Sequence, residues 1–316
     1  MYIRSLIQAS EARMDFIIKK HEKCKNLDER VRMNARYELL GFFNLLKLLM
    51  SSKKNNYEYD LAVVAIMKNE GPYLTEWVKY YESIGVKHFY IYDNESTDNL
   101  AEVAKSLTNV TYHKISGVAR QLDAYNDALN RYGRKCKYMA FLDGDEFVFC
   151  PNSDNQLLPI LDNYFSKKHV GGLGVNWQIF GSSNFETKQE GLVTDNYIYR
   201  SVESFEKNRH IKTICMPKRV AGFAYEPHSM IYLPGFHAVN ENFEKIDGPL
   251  TEVPSTKKIR INHYFSKSKE EFLEKRARGQ ADSNNIRNMQ QFNEHDKNDI
   301  YDDSLRKYNR IHQLYH

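Results

Sequence analysis

The stretch LAVVAIMKNEGPYLTEWVKYYESIGVKHFYIYD, residues 61 to 93, decides the predicted fold because it contains a strand, a helix and a second strand in succession. Residues 61 to 67 are all apolar and rich in β-branched side chains, which is typical of a strand covered on both faces. Residues 74 to 84 have helical periodicity and are followed by Gly85, a common helix stop. Residues 86 to 93 form the second predicted strand.

The same alternation continues toward the C-terminus. It predicts helices at about 98–107 and 117–133 and strands at 110–114 and 137–143. Strands that alternate with helices indicate an α/β fold with a parallel sheet and right-handed crossovers. Polar loops follow the first, second and fourth strands, and the ligand of such a sheet lies beyond the carboxyl ends of its strands. The sequence therefore predicts one site, at this edge of the sheet.

Further elements are predicted from about Gly171 onward. Segments with strand character are found at 170–180, 197–201, 212–217 and 224–233, and residues 267–279 form a clear helix. The predicted organisation is an N-terminal helical extension at 1–55, a main domain at 56–282, and a polar, partly helical C-terminal tail at 283–316.

The segment AFLDGDEFVF, residues 140 to 149, carries three acids inside an apolar run, namely Asp143, Asp145 and Glu146. Carboxylates buried without partners cost several kcal/mol each, so a cation, a ligand or an exposed strand end must be present. A D-x-D pair suits Mg²⁺ or Mn²⁺, which prefer oxygen ligands and keep coordination positions for phosphate. The alternative is that the acids only cap a turn, and Glu146 has no assigned role.

Composition excludes several other classes. The 316 residues carry a net charge of +4 without a dense Lys/Arg tract, so nucleic acid is not the expected partner. The four cysteines are scattered, which favours a reducing compartment over a disulfide framework. Calcium-loop, phosphate-loop, dinucleotide and kinase motifs are missing. The apolar segment at 37–50 is shorter than the roughly 20 residues that span a bilayer. It predicts an amphipathic helix docked on the protein, with contact to a membrane surface as the alternative.

Several segments, in the same order along the chain, resemble GT-A glycosyltransferases of the family 2 and family 92 type. They are residues 61–99, FLDGDEF, NWQIFGSS (176–183), KTICMP (212–217) and NHYFSKSKEEFLEKRARG (262–279). The resemblance covers about residues 60 to 280 and is to the bacterial type, formerly a domain of unknown function. It implies a Rossmann-like GT-A fold with a mostly parallel central sheet flanked by helices.

The resemblance implies a metal-dependent enzyme that moves a sugar from a nucleotide-diphosphate sugar, with UDP-sugar favoured, to a hydroxyl group. Asp143 and Asp145 match the D-x-D motif, and Asp145 is expected to be the more direct ligand of Mn²⁺ or Mg²⁺. His263 matches the position of a third ligand, and His228 is the alternative.

Donor-binding residues also follow from the resemblance. Glu70 and Asp93 could instead be turn or cap residues, and each basic residue of the 267–279 helix could lie on a solvated face. The predicted donor-binding residues are Asn69, Glu70, Asp93, Asn94, Arg120, Gln121, Asp143, Lys267, Lys275 and Arg278.

On the acceptor side, Trp177 is expected to be a stacking platform for a sugar, with Ser182 and Ser183 beside it; a core role for Trp177 is the alternative. An inverting enzyme needs a carboxylate base near the attacking hydroxyl. Asp195 stands where the family tends to carry an acid, and Glu190 is the alternative. A retaining enzyme would need neither.

The predicted function is inverting glycosyl transfer in the biosynthesis of a surface polysaccharide, capsule or lipopolysaccharide, with a glycan or lipid-linked glycan as acceptor. The predicted location is the cytoplasm, and peripheral contact with the inner face of the membrane is left open. A homo-oligomer formed through the N-terminal helices is also left open. A nucleotidyl or sugar-phosphate transferase, and a non-catalytic glycan- or nucleotide-binding scaffold, are the competing functions.

Overall fold

The structure is a computed structural model that describes residues 56–223, 226–233, 235–277 and 288–315. The predicted N-terminal extension at 1–55, with its apolar segment at 37–50, lies outside these residues, as does Arg278. No helix in the described part of the chain has the length and apolar character needed to span a bilayer.

Strands and helices alternate through the first half of the described chain. The α-helices are α1 (Gly71–Ser83), α2 (Leu100–Ser106), α3 (Gln121–Tyr132), α4 (Leu157–Phe165), α5 (Val193–Asn196), α6 (Lys269–Ala277), α7 (Met289–His295) and α8 (Ser304–His312). Two short 3₁₀ helices cover Glu206–Arg209 and Pro217–Arg219. The strands are β1 (Tyr59–Met67), β2 (His88–Asp93), β3 (Val110–Lys114), β4 (Cys136–Phe141), β5 (Glu146–Phe149), β6 (Val170–Ile179), β7 (Tyr199–Arg200), β8 (Ile211–Cys215), β9 (Val220–Gly222), β10 (Ile231–Tyr232), β11 (His237–Val239), β12 (Lys245–Ile246), β13 (Arg260–His263) and β14 (Ile300–Tyr301).

The central sheet has the strand order β12-β11-β6-β8-β4-β1-β2-β3. Strands β4, β1, β2 and β3 are parallel neighbours, whereas β8 is antiparallel to both β4 and β6. Strand β13 pairs with β6 and with β5. The predicted α/β fold with a mostly parallel central sheet is therefore confirmed.

The apolar run of β1 is explained by burial on both faces. Leu61, Val63 and Ala65 belong to one hydrophobic cluster, and the alternate residues Ala62 and Val64 belong to the cluster on the opposite face. Helix α1 contributes Trp77, Tyr80 and Tyr81 to the first cluster, and α3 contributes Tyr125, Ala128 and Leu129 to the second. Helices thus cover the sheet on both sides, as a parallel sheet requires.

The acid-bearing segment 140–149 is not one strand. Strand β4 ends at Phe141, the chain turns, and β5 begins at Glu146. Asp143 and Asp145 therefore lie in a turn at the carboxyl end of β4, at the edge of the sheet.

The described part of the predicted C-terminal tail packs on the rest of the domain. Leu305 and Tyr308 of α8 belong to the first hydrophobic cluster. Asp302 accepts hydrogen bonds from Arg200 at 2.7 Å and from Arg260 at 2.8 Å. The C-terminal segment is mostly polar because only one face of α8, which carries Leu305 and Tyr308, packs on the domain.

Candidate active site

Strands β1, β2 and β4 end at the same edge of the sheet, and a cavity of about 370 Å³ lies beyond them. Met67 and Glu70 line it from the end of β1, Asn94 from the end of β2, and Asp143 and Asp145 from the turn after β4. The loops that the sequence predicted to converge on one site do meet here.

Asp143 is held by a buried ammonium group. Its Oδ2 accepts a hydrogen bond from Lys212 Nζ at 2.8 Å, and its Oδ1 accepts one from Gln121 Nε2 at 2.8 Å. Burial opposes ionisation of Asp143, but Lys212 outweighs it and lowers the pKa of the carboxyl group. Burial would likewise lower the pKa of Lys212, yet Asp143 and Glu146 raise it well above its usual value. The pair is therefore charged on both sides.

Glu146, which had no role in the sequence, braces the turn. Its Oε2 accepts a hydrogen bond from the Asp143 main-chain N–H at 2.8 Å and lies 4.0 Å from Lys212 Nζ. Burial raises the pKa of the Glu146 carboxyl to about 8, although Lys212 acts in the opposite direction. Glu146 therefore stabilises the D-x-D turn through the hydrogen bond that it accepts from the Asp143 main chain.

Asp145 lies between two basic side chains. Lys275 Nζ of α6 donates to its Oδ2, and His263 Nε2 of β13 lies 3.6 Å from its Oδ1. Although burial opposes ionisation, Lys275 and His263 lower the pKa of Asp145 well below its usual range. The Lys275 ammonium also donates to the Phe265 carbonyl at 3.0 Å, which fixes it at the cavity.

Asn69 and Asp93 join the loops that follow β1 and β2. Asn69 adopts a positive φ of 54°, and its Oδ1 accepts a hydrogen bond from the Thr97 N–H at 2.7 Å. Asp93 accepts hydrogen bonds from the Ser96 N–H at 2.8 Å and from the Tyr112 hydroxyl at 2.6 Å. Both residues shape the rim, but neither is among the residues that line the cavity.

The other predicted donor-binding residues divide into two groups. Asn94 and Gln121 line the cavity, whereas Arg120 is buried against Asp123 at 2.6 Å, outside the lining. Lys267 lies 3.6 Å from the lining residue Glu70.

Asp195 and Glu190, the candidate bases, are not among the residues that line this cavity. Asp195 Oδ1 accepts a hydrogen bond from Asn309 at 3.1 Å, and Glu190 lines a second cavity of about 380 Å³. The chain is directed there because the two N–H groups at the start of α5 donate to the buried Glu76 carboxylate at 2.8 and 3.0 Å. The structure therefore does not bring either carboxylate to the D-x-D turn.

The predicted acceptor residues also separate. Ser182 and Ser183 donate their main-chain N–H groups to Asp296 at 2.6 Å and to Asn298 at 2.8 Å, so they anchor the C-terminal segment and do not line the cavity. Trp177 does line it, with its ring centroid 4.3 Å from that of His263. Of the three predicted acceptor residues, the structure places only Trp177 at the cavity.

Comparison with known families places this geometry in context. The model of glycosyltransferase family 92 matches residues 64–308, which include all the residues that line the cavity. The chain belongs to glycosyltransferase family 92.

Curated family 92 proteins of plants are its relatives. One from Arabidopsis thaliana is 29% identical over 177 residues, which cover 52% of this chain and 30% of the relative. One from Ricinus communis is 27% identical over 170 residues, which cover 50% of this chain and 29% of the relative. The matched region is thus less than a third of the length of these relatives. The predicted bacterial setting finds no support in them.

Solved structures match this family 92 chain only loosely. HddC from Yersinia pseudotuberculosis has a TM-score of 0.33 and 10% identity, covering 58% of this chain and 90% of that one. Glucosyl-3-phosphoglycerate synthase from Mycobacterium tuberculosis, in complex with Mn²⁺, UDP-glucose and phosphoglyceric acid, has a TM-score of 0.34 and 11% identity, covering 64% and 76%. TM-scores this low say nothing about the ligands of this chain.

The groups around Asp145 fit a divalent cation with two protein ligands. The carboxylate oxygen and the His263 nitrogen face each other at 3.6 Å, a spacing that two ligands of one cation can adopt when each bond is roughly 2.1 Å long. Among the described residues, no group of three or more His, Cys, Asp and Glu side chains converges as a complete metal site. Phosphate oxygens and water would have to supply the remaining ligands, as is usual where Mg²⁺ meets phosphate.

Sequence reasoning missed several residues that line the cavity. Lys212 was noted only as part of a family motif, although a lysine inside the apolar strand IKTIC signals a buried ion pair. Other polar and aromatic side chains that it missed are Lys68, Lys207, His210, Phe265, Gln291 and His295. Their segments carry no local pattern that places them near the D-x-D turn.

Proposed function

We propose that this chain transfers a sugar from a nucleotide-diphosphate sugar to a hydroxyl group of a glycan, in the cavity beyond β1, β2 and β4. The observation that carries this proposal is the arrangement at Asp145, whose carboxylate lies between Lys275 and His263 at the cavity wall. Family membership supports glycosyl transfer as the reaction class.

The cavity places charge where a departing diphosphate needs it. In the proposal, Asp145 and His263 hold Mn²⁺ or Mg²⁺, and Asp143 contacts the metal or the ribose. The metal, when bound, supplies Lewis-acid stabilisation of the leaving group. Lys275 lies beside Asp145 and is placed to neutralise a phosphate oxygen.

The fixed ammonium of Lys212 has a different task. Its side chain is 1% exposed and donates a hydrogen bond to Asp143, which keeps that carboxylate ionised and oriented. Gln121 fixes the second oxygen of the same carboxylate. Preorganised charges of this kind require no rearrangement as the leaving group departs.

Three finer parts of the proposal come from the family resemblance. The donor nucleotide is UDP, transfer proceeds with inversion, and the acceptor is a glycan or lipid-linked glycan of a surface polysaccharide. Asp195 and Glu190 are left out of the proposed machinery because neither lines the cavity.

A donor panel tests the proposal. Purified protein is incubated with UDP- and GDP-sugars, with Mn²⁺ or Mg²⁺, and release of the free nucleoside diphosphate is followed by chromatography and mass spectrometry. We expect release from at least one donor, and a loss of at least 100-fold in Asp145→Ala. Full turnover by Asp145→Ala would contradict the proposed site. Folded wild-type protein that binds nucleotide diphosphates but turns over none would instead favour the non-catalytic scaffold.

A further inference from the structure

Three aromatic rings form a cluster at the wall of the cavity, next to His263. The rings of Trp177 and His210 are stacked with centroids 4.9 Å apart and an interplanar angle of 16°. The His228 ring meets Trp177 edge-on at 5.3 Å and lies 5.8 Å from His210. All three residues line the cavity, and we call them the ring cluster.

The two imidazoles of the ring cluster are fixed in the same tautomer. His210 Nδ1 lies 3.1 Å from the Lys207 carbonyl oxygen, and His228 Nδ1 lies 2.9 Å from the Ile211 carbonyl oxygen. Since a carbonyl only accepts hydrogen bonds, each Nδ1 carries the proton and each Nε2 presents a lone pair. Neither Nε2 has a hydrogen-bond partner among the described residues.

Both imidazoles are also kept neutral. Burial, aided by Lys212, lowers the pKa of His228 to about 3. Burial lowers the pKa of His210; the hydrogen bond to the Lys207 carbonyl opposes this, and the positive charges of Lys207 and Arg209 and the nearby His263 add to it. The ring cluster therefore offers hydrogen-bond acceptors without charge at neutral pH.

The third ring supplies a donor. Trp177 is 8% exposed, and its Nε1–H has no partner among the described residues. A buried donor without a partner costs free energy unless a ligand or water satisfies it. The indole ring itself is packed between His210 and His263, so it contributes its N–H group and holds the two imidazoles in place.

Two acceptors and one donor match a particular chemistry. Hydroxyl groups donate to a neutral imidazole and accept from an indole N–H, whereas a carboxylate or phosphate would meet two lone pairs. Lys207 and Lys212 both line the cavity, and each acts on one of the two imidazoles. Lys212 is paired with Asp143, so Lys207 is the one of these two lysines that could favour an anion.

We propose that the ring cluster is the subsite for an uncharged, hydroxyl-bearing sugar ring and that His210 and His228 select it through hydrogen bonds from its hydroxyl groups. The proposal deepens the proposed function and rests on it. The ring can be the sugar of the donor or the terminal sugar of the acceptor, because both present the same hydroxyl chemistry.

Calorimetry and inhibition kinetics together show whether the bound ring is the donor sugar or the acceptor sugar. In one arm, the wild type is titrated with UDP, UDP-glucose, UDP-galactose and UDP-glucuronic acid in the presence of Mn²⁺. In the other arm, methyl glucoside, methyl galactoside and methyl glucuronide are tested as inhibitors of UDP-sugar hydrolysis.

If the ring cluster binds the donor sugar, the best UDP-hexose binds the wild type more tightly than UDP does. In His210→Leu and in His228→Leu this ratio of affinities should fall about tenfold. An acceptor subsite predicts the same loss in inhibition by the neutral glycosides. In both cases the affinity for UDP itself changes less than twofold, and His210→Gln, which keeps an acceptor atom, recovers part of the loss.

His113→Gln is the matched control. This half-buried histidine of β3 pairs with the Tyr132 hydroxyl at 2.7 Å, is not among the cavity-lining residues, and should leave every ratio unchanged. Unchanged ratios in both Leu variants, or a preference of the wild type for the glucuronides, would overturn the subsite. An equal loss of UDP affinity would overturn it too, because the rings would then hold the diphosphate. If the wild type binds no nucleotide diphosphate at all, the proposed function itself fails, which is a different result.

Discussion

Lys212 Nζ lies 2.8 Å from Asp143 Oδ2, with the lysine side chain 1% exposed and Glu146 Oε2 4.0 Å away on its other side. Strands β8 and β4 bring the two residues together by antiparallel pairing. The buried ammonium thus compensates the Asp143 carboxylate of the acid-bearing turn.

Replacing Lys212 with Met should destabilise the fold by about 3–5 kcal/mol, because it removes the buried counter-charge of Asp143. Urea unfolding followed by circular dichroism measures this difference. The double variant Lys212→Met/Asp143→Asn should recover part of the loss, since it removes the charge that Lys212 compensates. Lys137→Met removes a solvent-exposed ion pair with Asp162 and should cost at most about 1 kcal/mol. A Lys212→Met variant as stable as Lys137→Met would contradict the pairing.

Asp302 should make the free energy of unfolding decrease as the pH falls below about 4. Against the effect of burial, Arg260 and hydrogen bonds from Ser304 and Arg200 lower its pKa to about 2. Because the folded-state pKa lies below that of the unfolded chain, the stabilisation is present above about pH 4 and is lost as pH falls toward 2. Asp302→Asn should therefore cost about 2 kcal/mol at pH 7 and about half of that at pH 3. Thermal unfolding at the two pH values measures this, and an equal cost at both would argue against an ionised Asp302.

Glu190→Gln and Asp195→Asn should keep kcat/KM within about threefold of the wild type. Neither carboxylate lines the cavity, and general bases typically contribute 100-fold or more. Steady-state kinetics with the best donor of the panel provides the measurement. A loss of 100-fold or more in either variant, with unchanged unfolding free energy, would restore that residue as the catalytic base.

Local pattern was enough to predict the first half of the sheet. The apolar run at 61–67 matches β1, and the helical periodicity at 74–84 matches α1. A strand buried on both faces has a continuous apolar run, whereas a helix buried on one face has apolar residues three to four positions apart. The position of Asp145 at a carboxyl edge followed from the same pattern.

The remaining parts of the site depend on long-range pairing. Lys212 reaches Asp143 only because β8 runs antiparallel beside β4, and a single lysine in an apolar strand does not name its partner. His210 and His228 approach Trp177 from a 3₁₀ turn and a loop that have no regular periodicity. The position of Asp195 away from the cavity depends on a long-range contact as well, because Glu76 of α1 accepts the N–H groups at the start of α5.

The central claim is that Asp145, at the edge of the sheet, holds a divalent cation that binds a nucleotide diphosphate. The most direct measurement is calorimetric titration of UDP and GDP with and without Mn²⁺, in the wild type, in Asp145→Asn and in the surface control Asp162→Asn. We expect binding that needs Mn²⁺ in the wild type and in Asp162→Asn, and affinity at least 100-fold weaker in Asp145→Asn. Mn²⁺-dependent binding of equal strength in Asp145→Asn would contradict the claim.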